Sequence, residues 1–586
     1  MDNDKKNCPI CNFVDGYARS GISRFHMPGH KGRIGSDDIR DGILPYDITE
    51  IAGADSLYEA DGIIAESEAD ATALFGTEAS FFSVEGSSQC IRAMLALATK
   101  WESPTEEAGR SATTAEQTGA AQSSVMPADK MGAAENSVMQ ADLISTAQKP
   151  VVLAARNVHR AFVTAAALLD LNVEWLWPEN EKYSLCSCSV SPEQVKRRLA
   201  ECMNRGRDVA AVYLTSPDYL GGMQDIRGIS EVCHSVEVPL LVDNAHGAYL
   251  HFLEPKLHPI DLGADMCCDS AHKTLPALTG CAYLHIGRRN SGPAEEQQSP
   301  GHAHETNTGA EGSPAYENGA GTAGLWRESL HDRWIRNAKM ALSVFGSTSP
   351  SYILLQSLDR TNRVLSGDFT EKLAECADRV RTVKKQIAAL GWELADRHSG
   401  YDPKLVEEPL KITINAAAAG CTGRELAAVL RECGVECEYA DPEYVVLMPS
   451  PYNKDEDYNR LLDALESINK CDSADIMFQP GRNEELTCAS QRKSDPKEKC
   501  DKYDILEKGT GRGPCAERVM SIRQAMFAES EVVDVTSAQG RVLADAAVSC
   551  PPAVPVAVSG ELIDKAAVET FLKYNINSVR VVKFPK

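Results

Sequence analysis

Between Pro150 and Gly287 short apolar runs alternate with amphipathic segments, and this alternation restricts the chain more than any other feature. PVVLAA precedes HRAFVTAAALLDL, NVEWLW precedes SPEQVKRRLAECMNRG, DVAAVYLT precedes DIRGISEVCHSV, and PLLVD and CAYLHI close the block. Runs of four to eight such residues between helical patterns predict an α/β fold, a mostly parallel sheet flanked by helices on both faces. Ligands of such sheets sit beyond the carboxyl ends of the strands. The residues to inspect are therefore Arg156 to His159, Thr215 to Asp218 and Asp243 to His246.

The remaining chain divides around this block. Its 586 residues, 43% of them hydrophobic, suffice for two to four domains. Residues 103–148, 290–321 and 472–514 carry few large apolar side chains and cannot offset their own ordering entropy, so they are expected to be flexible. Between them the pattern predicts an N-terminal arm (1–70), a large domain (71–346), a smaller α/β domain (347–471) and a small C-terminal α+β domain (515–586). The smaller domain opens with a long helix through SYILLQSLDRTNRVL and beyond, and continues with LKITINA, TGRELAAVLRECG and YVVLMP; the C-terminal one has a helix in SIRQAMFAES and a turn in CPPAVPVAVSGELI.

The net charge of −24, from 84 acidic and 60 basic residues, argues against nucleic acid as a partner and suits a small cation better. No apolar run approaches the roughly 18–20 residues that span a bilayer. The nineteen cysteines are scattered and the first residues, MDNDKKNCPICN, are polar, which implies reduced thiols and a cytoplasmic protein. Cys8 and Cys11 form a CxxC, but no second ligand pair follows nearby, so no metal is expected.

Lys273, in DSAHKT, follows a short strand among small and polar residues, where partial desolvation lowers an amine's pKa and favours imine formation. Asp243 ends an apolar strand and could hold a protonated pyridine nitrogen. Ser87 and Ser88 precede a helical pattern, an arrangement that binds anions. His159 stands where PVVLAA gives way to a helix and could stack on a flat ring. Taken singly, each has a plainer reading: a solvated lysine, a turn aspartate, a serine cap, a structural histidine. Their order along one alternating block favours the joint reading.

These stretches, together with FHMPGHKGR at 25–33, YLTSPDYLGGMQDI at 213–226, SAHKTLPALTG, STSPSYILLQSLD and PPAVPVAVSGELI, resemble the bacterial ornithine/lysine/arginine decarboxylases in their shorter form, without an N-terminal receiver-like domain. The resemblance implies the fold of type I pyridoxal-phosphate transferases and covers most of the chain outside the three polar segments. By resemblance, Lys273 would carry pyridoxal 5′-phosphate, Asp243 would partner its ring nitrogen and His159 would stack on the ring. Ser87, Ser88, Ser270 and His272 would hold the phosphate, and His246 would lie near the ring and the substrate carboxylate. Thr348 or Ser349 would complete a neighbouring subunit's phosphate site, making a homodimer, or an assembly of dimers, the working unit. Glu561 would meet a cationic substrate tail, or else be a surface turn residue. Asn244, Tyr249 and Arg160 depart from the family pattern, which has an acidic residue, histidine and lysine there.

The implied reaction is decarboxylation of arginine, lysine or ornithine, feeding polyamine metabolism. Rival readings are an aminotransferase or other lyase of the same fold, and a catalytically silent relative.

Overall fold

The computed structural model describes residues 8–20, 28, 39–100, 149–178, 185–288, 329–395, 408–470, 517–549 and 553–583. The three segments expected to be flexible, and nearly all of FHMPGHKGR, lie outside the described residues.

Seven strands form the main sheet: β1 (Ala79–Ser83), β2 (Val151–Ala155), β3 (Asn172–Leu176), β4 (Val209–Thr215), β5 (Leu240–Asp243), β6 (Met266–Asp269) and β7 (Ala282–Ile286). Their spatial order is β1-β7-β6-β5-β4-β2-β3. β3, β2, β4, β5 and β6 run parallel, while β7 is antiparallel to both β6 and β1. β1 lies outside the alternating block, and its five residues, ASFFS, carry no alternation that would mark a strand.

The parallel strands read as continuous apolar runs because both faces are covered. Val152 and Ala154 of β2 join a core with the helices Ser87–Lys100, Arg160–Leu168 and Leu330–Val344. Val151, Leu153 and Ala155 join a second core, with the helices Pro192–Asn204 and Ile226–His234. Helix starts follow local chemistry: the Ser191 and Asp225 side chains accept N–H groups of Gln194 and Gly228, and Pro192 occupies a first-turn position whose missing N–H costs nothing.

A smaller antiparallel sheet has the order β8-β10-β9, with β8 Ile412–Asn415, β9 Tyr439–Ala440 and β10 Tyr444–Leu447. Its helices Tyr352–Leu365 and Phe369–Ala389 share one core with the N-terminal helices Pro9–Arg19 and Ile63–Phe75 through Ile10, Val14, Ile64, Leu355 and Ile412. These two N-terminal helices are thus packed in rather than laid along the surface.

The C-terminal part pairs β11 (Ser530–Asp534) with β14 (Ser578–Val582) and β12 (Ala547–Ser549) with β13 (Val554–Ala557). The helix expected through SIRQAMFAES covers only Ile522–Phe527. Ser521 and Gln524 cap its start reciprocally, Ala528 is extended, and Ser530 already pairs with Val582 in β11. The core of this part, with Leu543, Val556, Phe571 and Val581, includes Leu220 from the loop after β4 and Tyr439 of β9. No described helix is long and apolar enough to cross a membrane, and the described cysteines are all free thiols.

Candidate active site

The parallel strands present their last residues along one edge. Thr215 and Asp243 end β4 and β5 as register partners, and Asp269 ends β6 beside them. Asp243 is buried; its Oδ1 accepts the Ala245 N–H (3.2 Å), and the Tyr213 hydroxyl lies 3.4 Å from Oδ2. Tyr213 and Cys268, 3.6 Å from Oδ1, are its side-chain partners among the described residues, and neither is a cation. The turn that follows needs Gly247, because a Cβ there would lie 2.1 Å from Asn244 Oδ1 and 2.7 Å from both Leu250 and Pro217.

Lys273 lies in the one-turn helix Ala271–Thr274 directly after β6. Its Nζ is 3.1 Å from Nε2 of His246. Burial pushes the Lys273 amine below its ordinary value, and the Asp243 and Glu438 carboxylates oppose the shift. Burial, reinforced by Lys273 and Lys411, pushes His246 well below the usual histidine range. A neutral imidazole accepting from Lys273 carries its proton on Nδ1, which is buried with no hydrogen-bond partner among the described residues. His159 is the N-cap of Arg160–Leu168, with Nδ1 accepting the Ala161 N–H (3.1 Å). Burial lowers its pKa too, Asp243 opposing and Lys273 adding to the shift, which sets its ring at the same edge.

Ser87 and Ser88 are the first residues of the helix Ser87–Lys100, not a cap before it. Gly86 reaches them with φ +71, a conformation that favours glycine. Ser270 Oγ donates to Ser87 Oγ across 2.7 Å, so hydroxyls from two elements meet at this helix's N-terminus. His272 Nδ1 is 3.1 Å from the Cys281 carbonyl, and burial lowers its pKa. Thr348 and Ser349 are exposed on the loop whose Ser347 N–H donates to Glu85 (3.2 Å).

Glu561 is neither exposed nor at the lysine. It is 1% accessible, and its Oε2 accepts from Arg156 (3.2 Å) and from the Val558 N–H (2.7 Å). Arg156 also donates to the Pro555 and Val556 carbonyls and lies about equally near the Trp175 and Trp177 rings, 5.2 and 5.1 Å from their centroids. The surface-turn reading fails because the C-terminal part folds this glutamate onto the residue that ends β2's run.

Three residues at the site had no sequence signal. Tyr219 sets its ring edge-on to His246 at 4.8 Å and donates its hydroxyl to Glu438 (2.8 Å). Lys411, buried, donates to the Asp218 carbonyl (2.7 Å) and lies 5.7 Å from the Tyr219 ring centre; burial takes its pKa down to about 8 against the pull of Glu408 and Asp218. Glu438 is exposed and acts electrostatically on Lys273, His272 and Lys411. Tyr219 lies within a quoted motif, but Lys411 and Glu438 come from the smaller sheet and its flank, with no spacing relation to Lys273.

Chemically, the edge offers a partly desolvated amine for a carbonyl, a buried carboxylate for a protonated ring nitrogen, a flat imidazole for a ring face and a hydroxyl-lined helix start for a phosphate. The unpartnered His246 Nδ1, Thr215 Oγ1 and Thr274 Oγ1 are buried polar atoms that a bound group could satisfy. Among the described residues, two groups of side chains have metal-donor chemistry: Cys8 and Cys11 gain Asp359 rather than a second cysteine pair, and Asp269 lies between His258 and His285.

Residues 8–103 and 112–317 match the family model described as Orn/Lys/Arg decarboxylase, major domain, and residues 515–585 match the C-terminal domain of the same family. An arginine decarboxylase of Bacillus subtilis (strain 168) is 24% identical over 592 aligned residues, covering 99% of this chain and 95% of the relative. An arginine decarboxylase of Bacillus anthracis is 25% identical, covering 99% and 95%. The solved structure of the Escherichia coli constitutive lysine decarboxylase superposes with a TM-score of 0.63 at 16% identity, over 98% of this chain and 82% of that one, a likeness of fold.

Proposed function

Because the chain belongs to the Orn/Lys/Arg decarboxylase family, we propose that it releases carbon dioxide from a basic amino acid, with pyridoxal 5′-phosphate bound around Lys273. The observation that carries this reading is the partly buried lysine amine 3.1 Å from a neutral histidine, at the same strand edge as an Asp243 carboxylate with no cationic partner among its hydrogen bonds. Ser87, Ser88, Ser270 and His272 would hold the phosphate and Asp243 the ring nitrogen, while His159 would cover a ring face. When bound, the cofactor supplies an electron sink for the pair left at the α-carbon as carbon dioxide departs.

The protein's own groups do the rest. Asp243 keeps a proton on the ring nitrogen, since a buried carboxylate is relieved by a protonated partner. Lys273, whose ammonium gives up its proton more easily because of burial, delivers a proton to the α-carbon that carbon dioxide has left, with His246 Nε2 as its hydrogen-bond acceptor. Tyr219 and the small-sheet residues shield that exchange from water. Glu438, rather than Glu561, is the carboxylate set to attract the distal cation of arginine, lysine or ornithine.

The curated relatives favour arginine, giving agmatine as a precursor of polyamines. We further propose a cytoplasmic homodimer in which Thr348 or Ser349 of one chain completes its neighbour's phosphate site. Purified protein supplied with cofactor is assayed for carbon dioxide and amine from arginine, lysine and ornithine in turn. One favoured amine, lost in Lys273→Ala, is the expected result. Amino-group transfer to a keto acid without carbon dioxide would replace the proposal with an aminotransferase.

A further inference from the structure

We infer that Asp269 is a positioning residue, whose carboxylate pins the turn after β5 to the turn after β6 and so sets Asp243 and Lys273 relative to one another. The inference rests on the reading that these two residues hold the cofactor. Asp269 is fully buried at the end of β6. Its Oδ1 accepts from Asn244 Nδ2 (2.7 Å), and its Oδ2 accepts from His258 Nε2 (2.9 Å). His285 Nε2 is 3.4 Å from the same Oδ2.

The donors are themselves fixed. His258 Nδ1 faces the Ile260 N–H (3.4 Å), which leaves the ring proton on Nε2, pointed at Asp269. His285 Nδ1 meets Ser80 Oγ (2.8 Å), which is backed by Thr77 (2.7 Å). Asn244 is wedged against Gly247, where no Cβ would fit, and its backbone N–H donates to the Cys268 carbonyl (3.0 Å). Asn244 directly follows Asp243, and Asp269 precedes Lys273 by four residues.

The pin also accounts for one departure from the family pattern. An acidic side chain at 244 would place a second carboxylate at hydrogen-bond distance from Asp269, whereas the Asn244 amide supplies the donor this carboxylate needs. The two positions therefore act as a pair whose donor and acceptor can be exchanged. In Asp269→Asn, with the Asn244 amide turned as it is, either the new amide nitrogen faces the Asn244 nitrogen or it faces the His258 N–H, a donor against a donor in both cases, and turning the Asn244 amide over replaces a charged acceptor by a neutral pair. Asn244→Asp sets two carboxylates together. In the double variant, the amide at 269 donates to the carboxylate at 244 while its oxygen accepts from His258.

The test measures pyridoxal phosphate affinity of the cofactor-free proteins by absorbance titration, the pH midpoint of the bound cofactor's visible band, and the melting midpoint of each cofactor-free protein. Each single variant is expected to bind about 10- to 100-fold more weakly, the size of a lost hydrogen bond to a charged group, with a shifted band midpoint. The double variant is expected to return both towards wild type, including recovery of folding if a single variant fails to fold. Wild-type affinity and band midpoint in the single variants would overturn the inference, as would a double variant no better than either single. One equivalent of tightly held metal that Asp269→Asn releases and Cys11→Ala retains would also overturn it, making Asp269 and its histidines a metal site. If wild type takes up no cofactor, the proposed function fails, and the pin is judged on the melting midpoints: single losses with double recovery sustain it, and equal midpoints sink it.

Discussion

Arg156 and His246 each follow an apolar strand within a few residues, yet the structure treats the two strand ends oppositely. At Arg156 the guanidinium reaches two carbonyls and the Glu561 carboxylate, all in the C-terminal part. At His246 the ring has one hydrogen-bond partner among the described residues, Lys273, and a buried Nδ1 with none; Thr215 and Thr274 have buried hydroxyls in the same condition. Buried polar atoms without a hydrogen bond occur at both ends, the Asn157 amide beside Arg156 among them, so what separates the two is the pairing of charge. The strand end whose cation meets a buried carboxylate is a seam between parts of the fold, and the one whose lysine amine meets a neutral histidine is a site.

The largest expected effect breaks the site without touching the seam. Lys273→Ala should lower kcat by about 10²- to 10⁴-fold, the range of a lost proton-transfer group, while its melting midpoint stays near that of wild type; a large loss of stability would mean that Lys273 is structural. The converse is Arg156→Met. Leaving Glu561 buried without its cation should cost about 3–5 kcal/mol, seen as a lower denaturation midpoint with unchanged cofactor affinity in the protein that remains folded. If instead affinity falls and stability holds, the seam and the site are not separate.

A smaller effect sharpens where the site meets its substrate. Glu438→Gln should raise KM for the preferred basic amino acid about three- to tenfold, a charged contact discounted for its exposure, with kcat little changed; an unchanged KM would return the search for the cation's partner to other carboxylates. The smallest effect lies far from both regions. The hydrogen bond of His234 Nε2 to Asp265 (2.9 Å) raises the His234 pKa. Its stabilisation is therefore present below the free histidine value and is lost as pH rises through the raised one. Wild type should exceed His234→Ala by about 0.2–1 kcal/mol near pH 6 and by nothing near pH 9, and a difference constant with pH would contradict the ion pair.

What could be read from the sequence follows the same division. The parallel sheet was legible because strands buried on both faces are apolar throughout; Lys273, Asp243 and His159 were legible as candidates because each ends or begins an element within one alternating block, and Ser87 because hydroxyls there precede a helical pattern. Lys411 and Glu438 were not, since only tertiary packing carries the smaller sheet to Lys273. Nor was the Arg156–Glu561 pair, whose members are 405 residues apart, which is why Glu561 was expected near the substrate or on the surface. Asn244 was legible as a departure but not as a donor, because its acceptor ends the neighbouring strand.

The central claim is tested most directly by reducing the cofactor-loaded protein with borohydride and mapping its peptides by mass spectrometry. The account predicts the mass of the reduced cofactor on the peptide that contains Lys273, and its absence when Asp243 and Lys273 are both replaced by alanine. Cofactor fixed on another lysine, or on none while the protein still forms amine, would contradict it.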